Sequence, residues 1–416
     1  MKKLLSEFST KVLELSNLEK EKKVRNILKN QASTIENPKW NNIIKRENEL
    51  YSRGNDIRSE FERDYTRIIH SLAFRRMKHK TQVFFSPVND HICTRMEHVI
   101  LVESISHTIA NYLGLNTELT KAIAMAHDIG HSPFGHQGEK ILSKISQDEI
   151  GKTFWHEKNG MELVDKIELL EDDKKCLQNL NLTYSVKDGI ISHCGEIDEN
   201  GLKPREEYID LNDYNYPNQY KPYTWEGCVV KIADKIAYLG RDIQDAITLG
   251  ILDEHLDELY NLMEIDKTQV INNTIIINYL IYDLCENSNE AEGLKFSDKA
   301  FSFMKKLKEF NYKYIYLDER IKPSTEYFNL ILNTIYNTLK KYYNEKEHIK
   351  KLYPEIIADF ENWLKMYWNA ERQDICKNKV VFDIENEKDI CQAIIYYISG
   401  MTDNYAIDIF NKIVRF

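Results

Sequence analysis

The chain has 416 residues, with Lys+Arg 56 against Asp+Glu 66 and a formal net charge of −10. Hydrophobic residues make up 42% and charged residues 29%, which is the composition of a globular protein with a large core and excludes a disordered chain. The negative charge also excludes a chain-wide basic surface for nucleic acid, although a local basic groove remains possible. Because only 15 Gly and 8 Pro interrupt the chain, the composition predicts a mostly α-helical protein.

The cysteines and the N-terminus bear on the compartment. The seven cysteines are scattered and form no CxxC pair, which is typical of free thiols in a reducing environment. Residues 1–7 reach charged side chains too early for a signal peptide. Apolar runs such as 274–277 are far shorter than the roughly 20 residues of a membrane span. We therefore expect a cytoplasmic protein that does not enter a membrane.

The spacing of apolar residues predicts helices along most of the chain. Residues 1–45 form a charged amphipathic pattern, broken near Asn37-Pro38, which predicts an N-terminal helical arm. Further helices are predicted over 59–81, 94–113, 117–128 and 228–249. Between 196 and 227, where prolines and tyrosines accumulate, we expect a long loop that acts as a lid or an oligomer contact.

The second half of the chain continues the helical pattern, with a short strand expected at 380–384. The prediction is therefore an all-α protein with a helical catalytic core and an additional C-terminal helical region. We place the N-terminal arm at residues 1–45, the core at 46–250 and the C-terminal region at 251–416.

Histidine placement gives the first chemical signal, because nine of the twelve histidines fall between residues 70 and 156. His127 and Asp128 are adjacent at a predicted helix end, where both side chains can turn toward one cation. Imidazole with carboxylate suits Mn, Fe, Co, Ni or Mg better than a structural zinc site. Asp234, Tyr238 and Asp242 recur every four residues on one helix face, which predicts a pocket wall.

Single residues of this set also fit ordinary structural roles. Alone, His98 is typical of a buried core histidine, and Asp234 of a helical ion pair. The combination favours a site, because His98, His127-Asp128 and Asp234 follow one another in the order H…HD…D. This order resembles that of the HD-domain metal-dependent phosphohydrolases.

Longer segments narrow the resemblance to one branch of these enzymes. Residues 63–71 (RDYTRIIHS), 74–84 (FRRMKHKTQVF) and 127–139 (HDIGHSPFGHQGE) are similar to the bacterial deoxyguanosine triphosphate triphosphohydrolase family. That family is related to the vertebrate SAM-and-HD-domain triphosphohydrolase. The resemblance covers about residues 40–250, with a weaker similarity at 399–405.

The resemblance implies the residues of a site. One divalent cation per subunit (Mn, Mg, Fe, Co or Ni) would be bound by His98, His127, Asp128 and Asp234. His136 would be the catalytic histidine, with Glu139 as its acidic partner. Substrate contacts would come from Gln82, Arg95, His131, His156, Lys235, Tyr238 and Asp242.

The resemblance also implies the reaction: a deoxynucleoside triphosphate, dGTP or dNTPs generally, is hydrolysed to deoxynucleoside and tripolyphosphate. The enzyme would be a homo-oligomer, with a nucleotide or single-stranded DNA as a candidate effector. A triphosphate carries about four negative charges, so its site needs cations such as a metal, Arg95 and Lys235. Proton transfer to the leaving 5′-oxygen needs a group that titrates near neutrality, as histidine does.

Two alternative functions stay open at this point. The chain is compatible with another HD phosphohydrolase, acting on a nucleoside monophosphate or a signalling nucleotide. It is also compatible with a nucleotide- or DNA-binding regulator that has lost its chemistry. Lys80 is balanced between substrate and structural roles, and a structural role is favoured for His193. We expect surface or structural roles for His70, His79, His91 and His107.

Overall fold

The computed structural model describes residues 25–50, 56–85, 89, 91–194, 199–267, 271–370 and 372–415. Within these residues the predicted all-α fold is confirmed. The helices are α1 (Trp40–Ile43), α2 (Glu60–His70), α3 (Leu72–Arg76), α4 (Arg95–Leu113), α5 (Thr117–Ala126), α6 (Gly135–Ile150), α7 (His156–Glu162), α8 (Tyr184–Ser192), α9 (Trp225–Thr248), α10 (Leu256–Met263), α11 (Asn273–Asn287), α12 (Asp298–Asn311), α13 (Lys322–Asn344), α14 (Lys346–Leu352), α15 (Pro354–Leu364), α16 (Glu387–Ser399) and α17 (Asp403–Val414). None of the helices in these ranges is long and apolar enough to cross a membrane.

The β-structure of the described residues is one small hairpin. Strand β1 (Leu169–Glu171) pairs antiparallel with β2 (Leu177–Asn179), with Leu170 opposite Gln178. The strand expected at 380–384 is wrong, because that segment forms a single bridge between Phe382 and Trp368. Its apolar character comes instead from the buried Phe382 ring, which packs against Trp363 at 6.1 Å.

The expected N-terminal arm is corrected where the structure describes it. Residues 1–24 lie outside the described residues, and 25–45 are mostly turns, with a 3₁₀ turn at Lys29–Gln31 and the four-residue α1. Leu28 and Ile43 are fully buried in the main core. The apolar spacing therefore reflects two separate anchoring points of an irregular segment and not one helical face.

Local hydrogen bonds explain why the central helices begin and end where they do. Thr94 caps α4 by accepting from the Glu97 backbone N–H, and Gly114 ends it with φ +83°. A side chain at Gly114 would lie 2.8 Å from Asn26, so this close contact requires glycine. Helix α9 begins at Trp225, three residues before the prediction, because the Thr224 side chain caps it. Helices α4, α5 and α9 pack against one another.

The long loop before α9 is fastened to the fold over its described residues, 199–224. Arg205 donates to Asp188 at 2.5 Å and to the Tyr184 hydroxyl at 2.8 Å. Tyr214 and Tyr223 are buried, whereas other tyrosines of the loop are exposed. The expected lid or oligomer role stays a prediction.

The buried apolar residues of the described chain form two separate cores. The first contains α4, α5, α9, α11 and α12, and the second is formed mainly by α13, α15, α16 and α17. Phe134, Leu142 and Ile145 bring α6 into the second core, where α6 packs against α13 and α16. The helix that carries His136 and Glu139 is therefore supported by residues from the last hundred of the chain.

Candidate active site

The four predicted metal ligands lie next to one another. His98 comes from α4, Asp234 from α9, and His127 and Asp128 from the turn that ends α5. His98 Nε2 lies 3.0 Å from Asp234 Oδ1, and His127 Nε2 lies 3.6 Å from Asp128 Oδ1 and 3.8 Å from Asp234 Oδ1. The ligand atoms of His98, His127 and Asp234 all lie within 4.8 Å of one another. The consecutive helices α4 and α5 and the much later α9 thus supply two imidazoles and two carboxylates.

The hydrogen bonding of His127 fits a metal. Its Nδ1 donates to the Ala124 carbonyl at 2.7 Å, which leaves the lone pair on Nε2. That Nε2 is buried and, among the described residues, has no hydrogen-bond partner. A buried polar atom without a partner costs about 1–3 kcal/mol. A divalent cation between this nitrogen and the two carboxylates would remove the cost, and a mixed nitrogen and oxygen set suits the predicted metals.

The charges of the site favour ionised carboxylates. Burial works to raise the pKa of Asp128, but Arg95 and the neighbouring imidazoles outweigh it and hold this pKa well below its usual value. The hydrogen bond with His98 likewise overcomes burial and lowers the pKa of Asp234. Both side chains are therefore available as anionic ligands at neutral pH.

Arg95 is a buried residue that donates hydrogen bonds to Asp128 and to the backbone of the preceding loop. Its guanidinium donates to Asp128 Oδ2 at 2.5 Å and to the carbonyls of Thr81 and Gln82 at 3.3 and 3.2 Å. Gln82 is itself buried, and its Oε1 has no hydrogen-bond partner among the described residues. The substrate roles expected for Arg95 and Gln82 stay predictions, and the structure adds that Arg95 orients the Asp128 carboxylate.

Gly130 explains how closely α7, with His156, approaches the turn after α5 that carries His127 and Asp128. A side chain at Gly130 would lie 2.1 Å from the His156 carbonyl, so only glycine lets the turn after α5 contact the backbone of α7. The imidazoles of His131 and His156 consequently stack with ring centres 3.7 Å apart. The predicted metal ligands therefore adjoin the histidines expected to contact substrate, with His131 Nε2 3.1 Å from Asp128 Oδ1.

Glu139 connects two imidazoles at the edge of this cluster. Its carboxylate lies 3.2 Å from His136 Nδ1 and 3.1 Å from His156 Nδ1, and it accepts from the His156 backbone N–H at 2.9 Å. The His136 side chain is 61% exposed, whereas the side chains of Glu139 and His156 are 15% and 12% exposed. The predicted pair of His136 and Glu139 is thus in contact, and His136 faces the open side.

The same contacts separate the protonation states of the histidines. Burial opposes a charge on His156, but Glu157 and Glu139 outweigh it and raise its pKa to about 10. Burial, Arg95 and His156 hold the pKa of His131 well below its usual range. A cationic imidazole therefore stacks on a neutral one at neutral pH.

The α9 face carries the remaining predicted contacts. Lys235 and Asp242 are buried, and Tyr238 is half-buried between them on the helix. Burial raises the pKa of Asp242 to about 7, and its carboxylate accepts from the Tyr316 hydroxyl at 2.5 Å. Tyr316 was missed in the sequence because it lies 74 residues beyond Asp242 with no motif around it.

His193 was expected in a structural role, and the structure places it beside the metal ligands. Its Nδ1 donates to the Ile190 carbonyl at 2.6 Å, and its Nε2 lies 3.9 Å from Asp128 Oδ1. Burial and the nearby His127 and His156 lower its pKa to about 3. The only signal in the sequence was a histidine at the end of a predicted apolar segment.

Lys80 has a structural position. Its Nζ is buried and donates to the carbonyls of His131 and Ser399, which joins the turn after α5 to the end of α16. The histidines expected at the surface are exposed, namely His70, His79, His91 and His107.

Comparison with known proteins identifies the family of the chain. The chain matches the HD domain over residues 95–239 and the phosphohydrolase-associated domain over residues 294–412. Three relatives are each named deoxyguanosinetriphosphate triphosphohydrolase-like protein. The one from Caldanaerobacter subterraneus subsp. tengcongensis is 34% identical over 354 residues, which cover 85% of this chain and 84% of the relative. Those from Desulfatibacillum aliphaticivorans and Clostridium tetani are 32% and 31% identical, over 86% of this chain and 88% and 86% of the relatives. The chain therefore belongs to the HD-domain phosphohydrolase family that includes the deoxyguanosinetriphosphate triphosphohydrolase-like proteins.

Proposed function

We propose that this protein hydrolyses deoxynucleoside triphosphates, dGTP among them, to deoxynucleoside and tripolyphosphate, using one divalent cation per subunit. The observation that carries the proposal is that His131 connects the H…HD…D residues to the pair of His136 and Glu139. Its Nε2 lies 3.1 Å from Asp128 Oδ1, and its ring centre lies 5.2 Å from that of His136. The names of the relatives support the choice of substrate. The same resemblance supports a homo-oligomer with a nucleotide or single-stranded DNA as effector.

The metal would be held by His98, His127, Asp128 and Asp234. When bound, a divalent cation lowers the pKa of a coordinated water and polarises a phosphoryl oxygen. Arg95 fixes the orientation of Asp128 through the 2.5 Å bond described above. The set of imidazole and carboxylate ligands supports Mn, Mg, Fe, Co or Ni as the metal.

The charges around the metal suit a polyphosphate. Two of the substrate contacts implied by the resemblance are the cationic His156 and the buried Lys235. A charge-assisted hydrogen bond from such groups is about twice as strong as a neutral one. His131, Gln82 and Arg95 would complete the phosphate contacts.

Proton transfer falls to His136 in this proposal. Hydrolysis at the α-phosphorus breaks its bond to the 5′-oxygen, and that oxygen takes up a proton as it leaves. His136 is exposed toward the open side, and Glu139 orients its imidazole through Nδ1, so Nε2 is free to deliver the proton. The sugar would rest against Tyr238, whose ring excludes a 2′-hydroxyl, while Asp242 accepts from the 3′-hydroxyl.

Product analysis tests the proposal. Metal-loaded protein is incubated with each dNTP, singly and mixed, and the products are separated by chromatography. Tripolyphosphate and deoxynucleoside are the expected products, and activity only in the mixture would reveal an activating nucleotide. Orthophosphate or pyrophosphate would instead indicate a different HD phosphohydrolase, and no turnover of any nucleotide would favour a binding protein.

A further inference from the structure

The carboxylate of Asp403 lies between two loops of the candidate site. Asp403 is the first residue of α17, and only 4% of its surface is exposed. Its Oδ2 accepts from the Thr81 backbone N–H at 2.8 Å and from the Thr81 hydroxyl at 2.5 Å. Its Oδ1 accepts from the Phe134 backbone N–H at 2.9 Å. One side chain therefore joins segments that lie 322 and 269 residues earlier in the chain.

Each of these loops carries groups of the site. Thr81 precedes Gln82, and the carbonyls of both residues accept from Arg95, which holds Asp128. Fixing the Thr81 backbone thus fixes the surroundings of a metal ligand.

The second loop determines where His136 lies. Phe134 has φ +65°, a left-handed conformation that is unfavourable for a residue with a side chain, and it directly precedes α6. Its N–H is bonded to Asp403, and its ring stacks on Phe328 of α13 at 4.2 Å. The C-terminal helices therefore hold the strained entry to α6, whose second residue is His136.

A second buried connection runs between the same parts of the fold. Lys80 Nζ donates to the Ser399 carbonyl at 2.8 Å and also to the His131 carbonyl. Asn159 Nδ2 donates to the Gly130 carbonyl at 2.6 Å and lies 3.3 Å from Ser399 Oγ. The segment 399–403 is thus joined to the loop after α5 directly through Asp403 and indirectly through Lys80 and Asn159.

We infer that Asp403 is a positioning residue for the hydrolysis, which keeps the Gln82 loop and the His136 loop in the relative position that turnover requires. The measurement of activity depends on the proposed function being right. The hydrogen bonds from which we draw the inference do not depend on it. Asp403 contacts neither the metal ligands nor the predicted catalytic pair through its side chain, so it acts through the two backbone segments.

The variant Asp403→Asn tests this inference. The amide of asparagine has one accepting oxygen in place of the two of aspartate. Its NH₂ group would face a backbone N–H, which is also a donor, so at least one of the two loops loses its hydrogen bond to residue 403. A small displacement of catalytic groups costs up to about 100-fold in rate, and we expect kcat/KM to fall about 10- to 100-fold with bound metal unchanged. Backbone hydrogen exchange should accelerate in peptides covering 80–85, 131–135 or both, and not in α11 or α12.

The matched control is Asp408→Asn. Asp408 lies on the same helix, is 57% exposed and pairs with Lys412 at 3.3 Å. Its loss should leave activity and exchange in both loops unchanged. Equal behaviour of the two variants would overturn the inference, as would a loss of activity in Asp403→Asn without faster exchange in either loop.

Thr81→Val provides a second test that holds even if Asp403→Asn does not fold. It removes the hydroxyl bond to Asp403 and keeps the backbone bond, so exchange should rise in 80–85 and not in 131–135, with a smaller decrease of kcat/KM. An unaltered exchange pattern in Thr81→Val would contradict the positioning role. If the unaltered protein hydrolyses no dNTP, the proposed function fails, while the exchange comparison still decides the role of Asp403.

Discussion

Glu139→Gln is the most informative change in the candidate site, because Glu139 serves two imidazoles at once. Its carboxylate contacts His136 Nδ1 and His156 Nδ1 and accepts from the His156 backbone N–H. Glutamine keeps the shape, but its amide nitrogen donates, so at least one of these groups loses its acceptor. We expect both histidines to respond to the substitution, and His156 more strongly because its side chain is 12% exposed whereas that of His136 is 61% exposed.

The size of the effect follows from the pKa of His156, which is raised from 6.5 to about 10. A charge-assisted hydrogen bond contributes about 1.5–3 kcal/mol, which equals about one to two pKa units at 1.36 kcal/mol each. Removing Glu139 should therefore lower the pKa of His156 by about one to two units, to about 8–9, with Glu157 supplying the rest of the increase. A raised pKa stabilises the folded state fully below pH 6.5, and this stabilisation is lost as pH rises through the folded-state pKa.

The assay is the free energy of unfolding of metal-loaded protein, measured with denaturant from pH 6 to pH 10. The variant should be less stable by about 1.5–3 kcal/mol up to about pH 8, and the difference should vanish between pH 8 and pH 10. Glu149→Gln is the control, because Glu149 lies on the same helix and pairs with Lys340 away from the site. A stability difference that persists at pH 10, or one equal to that of the control, would refute the reasoning.

Three further predictions test the roles proposed for individual residues. His136→Ala should lower kcat by about 10²–10⁴-fold with metal content intact, and loss of the metal would show that His136 has another role. Asp234→Ala removes an anionic ligand, so metal analysis and turnover should both fall sharply; stoichiometric metal with normal activity would contradict its assignment. Tyr238→Ala should narrow the preference for dGTP over GTP, which steric exclusion sets at about 1–3 kcal/mol in kcat/KM; equal kcat/KM values in the unaltered enzyme would dismiss the sugar contact.

The sequence by itself determined the helices of the central core, because their ends depend on neighbouring residues. Thr94 caps α4 through a backbone N–H three residues away, and Gly114 ends that helix. The pair His127-Asp128 stands at the end of α5, where both side chains leave the helix. The order of the motifs was sufficient to identify the family. Residue types and their order along the chain can be read without knowing which side chains surround them in the fold.

The spacing of apolar residues predicted the wrong secondary structure where irregular segments bury apolar side chains. Residues 25–45 and 380–384 have the right spacing for a helix and a strand, yet they are turns and an irregular segment that bury Leu28, Ile43 and Phe382. Periodicity indicates that a side chain is buried, but it carries no information about the backbone hydrogen bonds that would continue an element.

Only the tertiary structure decided which residues surround the predicted ones. Tyr316 reaches Asp242 across 74 residues, and Asp403 reaches Thr81 across 322. Glu139 is shared by two histidines because the glycine turn before α6 brings α7 into contact with it. These contacts depend on the angles at which whole helices pack, and those angles result from many side chains at once, so no local pattern of residues encodes them.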